Sequence, residues 1–184
     1  MTYRGLTGSR TAWRADDELP VEGSVEVRMP VEELWRTFAR VRGWPRWNGC
    51  MWTATVTGGE LAEGRTLVWA FLPLRRYLLY RLPAIARLTE VVPERRVTWE
   101  VTLLPGFHAR HTYWMEPLDA ERSRFGSWEV AEGPLYRLLR PFWLAHFRFV
   151  CHESLRGVER LATFRAQKIF RLSGPTARSI QTRR

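Results

Sequence analysis

The chain has 184 residues, is 45% hydrophobic with ten tryptophans, and carries a formal net charge of +10. This is the length of one domain with material for a substantial core. No apolar run approaches the roughly 18 residues of a membrane-spanning helix, and the first residues lack the apolar stretch of a signal peptide. The charge does not mark a nucleic-acid binder. Thr163–Arg184 alone holds six basic residues and no acid, residues 1–20 balance, and residues 21–162 carry +4. Most of the excess therefore sits in a tail that reads as a solvated end. Cys50 and Cys151 lie in apolar surroundings and suit buried free thiols in a reducing, cytoplasmic setting, with a disulfide as the alternative.

Residues 1–20 read as a flexible arm with Trp13 as its only bulky anchor, 21–165 as the domain, and 166–184 as a flexible basic tail. Val21, Gly23, Val25 and Val27 alternate and predict a strand. Pro30 opens a helix over VEELWRTFARV, with Glu32 and Glu33 in its first turn, where the dipole favours acids, and Gly43 as its stop. Trp44-Pro45-Arg46-Trp47-Asn48 makes a rigid corner. Strands follow at CMWTATVTGGEL and RTLVWAFL, separated by the turn glycines Gly58, Gly59 and Gly64. The stretch 73–87 reads either as an arginine-bearing hairpin or as a short basic amphipathic helix. RVTWEVTLL alternates cleanly, and FHARHTYWMEPL and RSRFGSWEVAEG complete a set of about six strands.

The longest helical pattern closes the chain. Trp143, Phe147, Val150, Cys151, Leu155, Val158, Leu161 and Ala162 share one stripe at spacings of three and four. Pro141 places the start of this helix, leaving 134–140 as a separate turn or short helix. Gly157 costs about 1 kcal/mol relative to alanine inside a helix, so it implies either a backbone pressed close or room for something bound. Adjacent strands with helices segregated in sequence imply an α+β fold with an antiparallel sheet.

This order, with the strand–helix opening VEVRMPVEELW, the WPRWN corner, the hairpin EVVPERRVTWEV, the strands HTYWMEPL and SRFGSWEVAEGPL, and the helix ending LRGVERLA, resembles the START-like or polyketide cyclase/dehydrase superfamily over about residues 21–165. The resemblance implies a helix-grip fold: a curved antiparallel sheet wrapped around a long C-terminal helix, with an internal hydrophobic cavity. It implies a bulky hydrophobic guest such as a lipid, polyketide or aromatic molecule. The roles it opens are binding, catalysis as a cyclase, aromatase or dehydratase, and carriage of a lipid or quinone at a membrane. It implies no cofactor and leaves monomer or homodimer open.

Local spacing offers no metal chelate. His108 and His111 fall on opposite faces of a strand, His146 and His152 are out of register on a helix, and no CxxC or HExxH occurs. No GxSxG elbow supports a serine triad. On the face shared by His111, Tyr113 and Met115, His111 is a candidate acid/base or a satisfied core histidine, and Tyr113 a candidate donor or a core tyrosine. Phe125, Ser127 and Glu129 share the next face, where Glu129 is either the acidic partner of a cavity base or a solvent-facing residue. Arg110 and Arg124 either close the mouth or solvate the outer face. Trp69 and Trp99, the rim residues Trp47 and Trp52, and Met115, Phe125, Phe147, Cys151 and Ser154 complete the expected lining. Flat indoles there suit an aromatic guest, and ordinary packing is the alternative for most of them. The segment 73–87 could rest on an anionic membrane, with solvated arginines as the preferred reading.

Overall fold

The computed structural model describes residues 2–4, 10–13, 20–71, 81–104 and 106–173. Among these, the strands are β1 Thr2–Arg4, β2 Arg10–Trp13, β3 Val21–Val27, β4 Met51–Val56, β5 Thr66–Phe71, β6 Leu82–Val92, β7 Arg96–Leu104, β8 Phe107–Pro117 and β9 Ser123–Glu132. They form one antiparallel sheet in the order β1-β2-β3-β9-β8-β7-β6-β5-β4. The helices are α1 Val31–Phe38, α2 Pro134–Leu138 and α3 Arg140–Ser173, with a 3-10 turn at Val41–Arg46. The sheet curls around α3, which is the α+β helix-grip arrangement expected.

The alternation in each strand sets which side faces α3. Val21, Val25 and Val27 are buried along β3, and Val97, Trp99 and Val101 along β7. The two carboxyl-terminal helices separate at Leu139, just before Pro141. Outside the sheet, cations alternate with acids: Arg110 holds Glu100, and Arg124 bridges Glu26 and Glu116 across three strands at 2.8 and 2.9 Å. Arg110 and Arg124 therefore solvate and brace the outer face, away from any cavity mouth.

Three boundaries differ from the sequence reading. Part of the expected arm at residues 1–20 is strand: β1 pairs with β2, and β2 extends the sheet beside β3 through Thr11↔Val25 and Trp13↔Gly23. Runs of three and four residues gain strand geometry only when a neighbour supplies hydrogen bonds, so alternation alone does not reveal them. Helix α1 ends at Phe38, ahead of Gly43, because Arg40 leaves helical space (φ −79°, ψ 73°) and the 3-10 turn containing Pro45 takes over. Helix α3 runs to Ser173, past the expected limit at 165. Within 73–87, residues 82–87 belong to β6, and 73–80, where the hairpin and helix readings differ, lie outside the described residues.

The WPRWN corner grips α3. A Cβ on Gly157 would lie 2.1 Å from the backbone oxygen of Trp47, so only glycine permits this approach. Arg160 donates to the same oxygen at 3.2 Å. Beside it, Asn48 donates through Nδ2 to Ser154 Oγ at 2.9 Å, and Ser154 Oγ donates to the Val150 carbonyl at 2.7 Å. With its one proton committed, Ser154 accepts from the Tyr113 hydroxyl at 2.5 Å. Asn48 Oδ1 takes the Cys50 N–H and thiol at 3.2 and 2.9 Å. Asn48, Cys50, Tyr113 and Ser154 are buried, so their mutual bonds orient the corner, β8 and α3 against one another.

Candidate functional site

The interior has a solid end and a hollow end. At the solid end α1 inserts Phe38 against Tyr113, Trp44 and Phe125, with ring centroids 5.0 to 6.1 Å apart. At the other end, between β5–β8 and the first turns of α3, a space of about 50 Å3 remains. Trp69, Phe71, Trp99, Phe107 and Phe147 supply its apolar walls, and His111, Glu129 and His146 its polar groups.

His111 lies flat on Trp99, with centroids 4.7 Å apart and planes 9° apart. Its Nε2 is 3.2 Å from Ser127 Oγ, and its Nδ1 is 3.2 Å from Glu129 Oε2. A lone pair facing a carboxylate would repel it, so Nδ1 carries a proton and Nε2 accepts from Ser127. Both nitrogens of this ring are thus met by protein. Glu129 sits directly opposite His111 in the β8–β9 register, and Ser127 opposite Tyr113. The His111 approach to Glu129 is off the hydrogen-bond axis, so the buried Oε2 accepts no hydrogen bond. His146 Nδ1 is also buried without a partner. These two atoms, Glu129 Oε2 and His146 Nδ1, are the polar atoms of the hollow end left for a guest.

A family profile described as "Polyketide cyclase / dehydrase and lipid transport" matches residues 19–163. The chain belongs to that family. No curated protein matches it. Among solved structures, TTHA0849 from Thermus thermophilus is 14% identical with a TM-score of 0.63, covering 80% of this chain and 99% of that one. A START superfamily protein from Mycobacterium smegmatis is 14% identical with a TM-score of 0.54, covering 77% and 97%. The di-domain ARO/CYC StfQ from the steffimycin biosynthetic pathway is 12% identical with a TM-score of 0.59, covering 80% of this chain and 51% of that one. At these identities the likeness is one of fold.

In this polyketide cyclase/dehydrase-family chain, the expected site residues divide between the two ends. Trp69, Trp99, Phe147, His111 and Glu129 surround the hollow end. Trp47, Met115, Phe125, Cys151, Ser154 and Tyr113 are buried but do not line it, because the ring of Phe38 and the corner fill the space they face. Tyr113 is further removed from proton transfer by its donation to Ser154 and by burial, which holds its hydroxyl well above its ordinary range. Trp52 is on the outside, 49% exposed, with the Arg81 guanidinium 3.5 Å from its ring centroid. As the strand neighbour of Met51, which lines the cavity, Trp52 points to the opposite face.

His146 was missed as a cavity residue, although it lies three residues after Trp143 and four before Val150, on the apolar stripe. Ser127, His111 and Glu129 have the connectivity of a nucleophilic triad, but Ser127 is fully buried and also bonded to Cys151. Its hydroxyl supports the imidazole and meets no substrate. Burial pushes the Cys151 thiol up to about 12 and Cys50 higher still, so both are inert. Among the described residues no group of three or more His, Cys, Asp or Glu side chains could hold a metal ion.

His146 gives the site a measurable pH signature. Burial pushes its imidazole down to about 4, only partly opposed by the Glu129 carboxylate. The folded protein therefore holds it neutral where the unfolded chain, at 6.5, takes a proton. Its contribution is complete above pH 6.5 and is lost as pH falls from 6.5 towards about 4. That loss amounts to about 3 kcal/mol. Urea unfolding across this range should show a steep acid limb that His146→Phe flattens by most of that amount. An acid limb identical in the variant refutes the assignment.

Proposed function

We propose that the protein encloses a hydrophobic small molecule bearing one hydrogen-bonding group, with its apolar body against Trp69, Trp99 and Phe147 and its polar group at Glu129 and His146. The observation that carries this reading is that Glu129 Oε2, which faces His111 Nδ1, and His146 Nδ1 are buried without a hydrogen bond beside one apolar-walled space. An unsatisfied buried polar group costs about 1–3 kcal/mol, more when charged, and a ligand hydroxyl or amine recovers that loss. The 50 Å3 takes only a few waters. Guest sites of drug-sized molecules run to about 300 Å3 or more. A guest of that size enters by displacing side chains, and the Phe71–His146 contact across β5 and α3, with ring centroids 4.6 Å apart, is the one to part.

A second reading is favoured by one feature. His111 backs Glu129 as a proton-carrying partner inside a dry pocket, an arrangement suited to a carboxylate base. Glu129 would take a proton from a guest folded against the indoles, and His111 would stabilise the resulting charge. That is the chemistry a cyclase, aromatase or dehydratase needs, and the fold shared with StfQ is compatible with it. Both thiols are buried and unpaired, which supports a reducing compartment such as the cytoplasm.

Native mass spectrometry of the purified protein tests the reading. A noncovalent adduct that extracts as an apolar compound with a hydroxyl or amine is expected, with occupancy much reduced in Glu129→Gln and unchanged in the surface variant Glu121→Gln. Protein that carries no adduct, and whose melting temperature does not respond to 2-naphthol, defeats the proposal.

A further inference from the structure

The outer face of β4, β5 and β6 differs from the rest of the sheet surface. Ile85 is 62% exposed and Val68 38%, and the two are directly paired in the β5–β6 register. Exposed Pro83 pairs with Ala70 in the next outward-facing row. Exposed Trp52 lies at the β4 bulge opposite Ala70 and Phe71. On β7 to β9 outward cations meet acids, as Arg96 meets Glu90, Arg110 meets Glu100 and Arg124 meets Glu116. Here residues 51–56, 66–71 and 81–89 contain no carboxylate, while Arg81 and Arg87 stand exposed. Arg81 covers the Trp52 ring, and the carboxylate nearest Arg87 in register, Glu100, is already held by both Nε and Nη2 of Arg110. β4 is the terminal strand of the sheet, so this face reaches its edge.

We infer that this face docks onto an anionic lipid bilayer surface, with Trp52, Val68 and Ile85 at the headgroup boundary and Arg81 and Arg87 on lipid phosphates. Exposed tryptophan and β-branched residues flanked by arginine suit that interface, where indoles rest at headgroup level and cations meet anionic headgroups. A second copy is the poorer occupant. A two-fold contact would bring the arginines of one copy towards those of the other, and strands β4 to β6 offer no carboxylate between Leu82 and Thr89 or on β4 and β5 to separate them. The inward side chains of the same strands, Trp69, Phe71 and Ala84, wall the hollow end, so the docked face lies one sheet thickness from that space. The docking itself stands whether or not the cavity holds a guest. Among the described residues no helix is long and apolar enough to cross a membrane, so the contact is peripheral.

Flotation of the full chain with vesicles of phosphatidylcholine alone, and of phosphatidylcholine mixed with phosphatidylglycerol, tests this at low and at physiological salt. Binding to the anionic vesicles only, weakening with salt, is expected. Arg81→Ser and Arg87→Ser should each lower the partition about fivefold. Ile85→Ser should lower it as well, while the triple tail variant Arg178→Ser, Arg183→Ser, Arg184→Ser retains most of it. The three substituted positions on the face are exposed, and unchanged melting temperatures verify folding. No binding to anionic vesicles at low salt overturns the inference. So does binding that the tail variant abolishes and the face variants leave intact, and so does self-association abolished by Ile85→Ser without vesicle binding.

Discussion

Gly157→Ala should destabilise the protein by about 4 kcal/mol, a large effect for one added methyl group. On an isolated helix the same change stabilises by about 1 kcal/mol, so the sign alone is diagnostic. The new Cβ would sit 2.1 Å from the Trp47 carbonyl oxygen and 2.9 Å from its ring, and the first of these is backbone that cannot rotate aside. Helix α3 must retreat from the corner. Overpacking of this kind costs about 1–3 kcal/mol. Retreat also stretches the buried bond from Asn48 to Ser154, whose loss adds about 1–3 kcal/mol. Urea titration should show a lower midpoint with the slope preserved. A midpoint at or above that of the parent protein would mean the corner does not touch the helix.

Trp99→Ala is the second change with a large expected effect, about 4 kcal/mol, because the indole is 2% exposed and its removal leaves a void. It differs from Gly157→Ala in being reversible by a small molecule. Trp99 lines the hollow end and stacks on His111, so the void opens onto existing space walled by Trp69 and Phe147. Indole added to the variant should recover part of the lost melting temperature, since a ligand that binds only the folded state stabilises it by mass action. It should do nothing for a solid-end truncation such as Phe125→Ala, whose void adjoins no free space. Equal rescue of both variants, or of neither, contradicts the division of the interior into two ends.

Much of this arrangement was legible in the residues. Pro141 and Pro30 lack an N–H and place helix starts. The alternation around Val97, Trp99 and Val101 chooses an inner face, and Gly157 signals a close approach that the Trp47 carbonyl supplies. What was not legible depends on partners distant in sequence. Whether an inward aromatic meets a void or another ring is decided by Phe38, which arrives from α1. Phe125 and Met115 therefore look as promising as Trp99 until the helix is placed. His111 looked like the group a guest would meet because it is the titratable residue on its face. Ser127 and Glu129 occupy both its nitrogens and leave the carboxylate exposed to the guest instead. Short strands such as β1 and β2 carry too few residues to announce themselves without the edge they join.

The separation of a filled half from an empty half has a consequence for how this scaffold can change. The clamp residues Asn48, Tyr113 and Ser154 lie away from the vacancy, while Ala84, Val101 and Ala109 border it without taking part in the clamp. Exchanging one of the latter for a larger or smaller neighbour alters what fits inside while the clamp between corner and helix stays whole. For the guest proposed above, selectivity can therefore be altered at those three positions without disturbing the clamp.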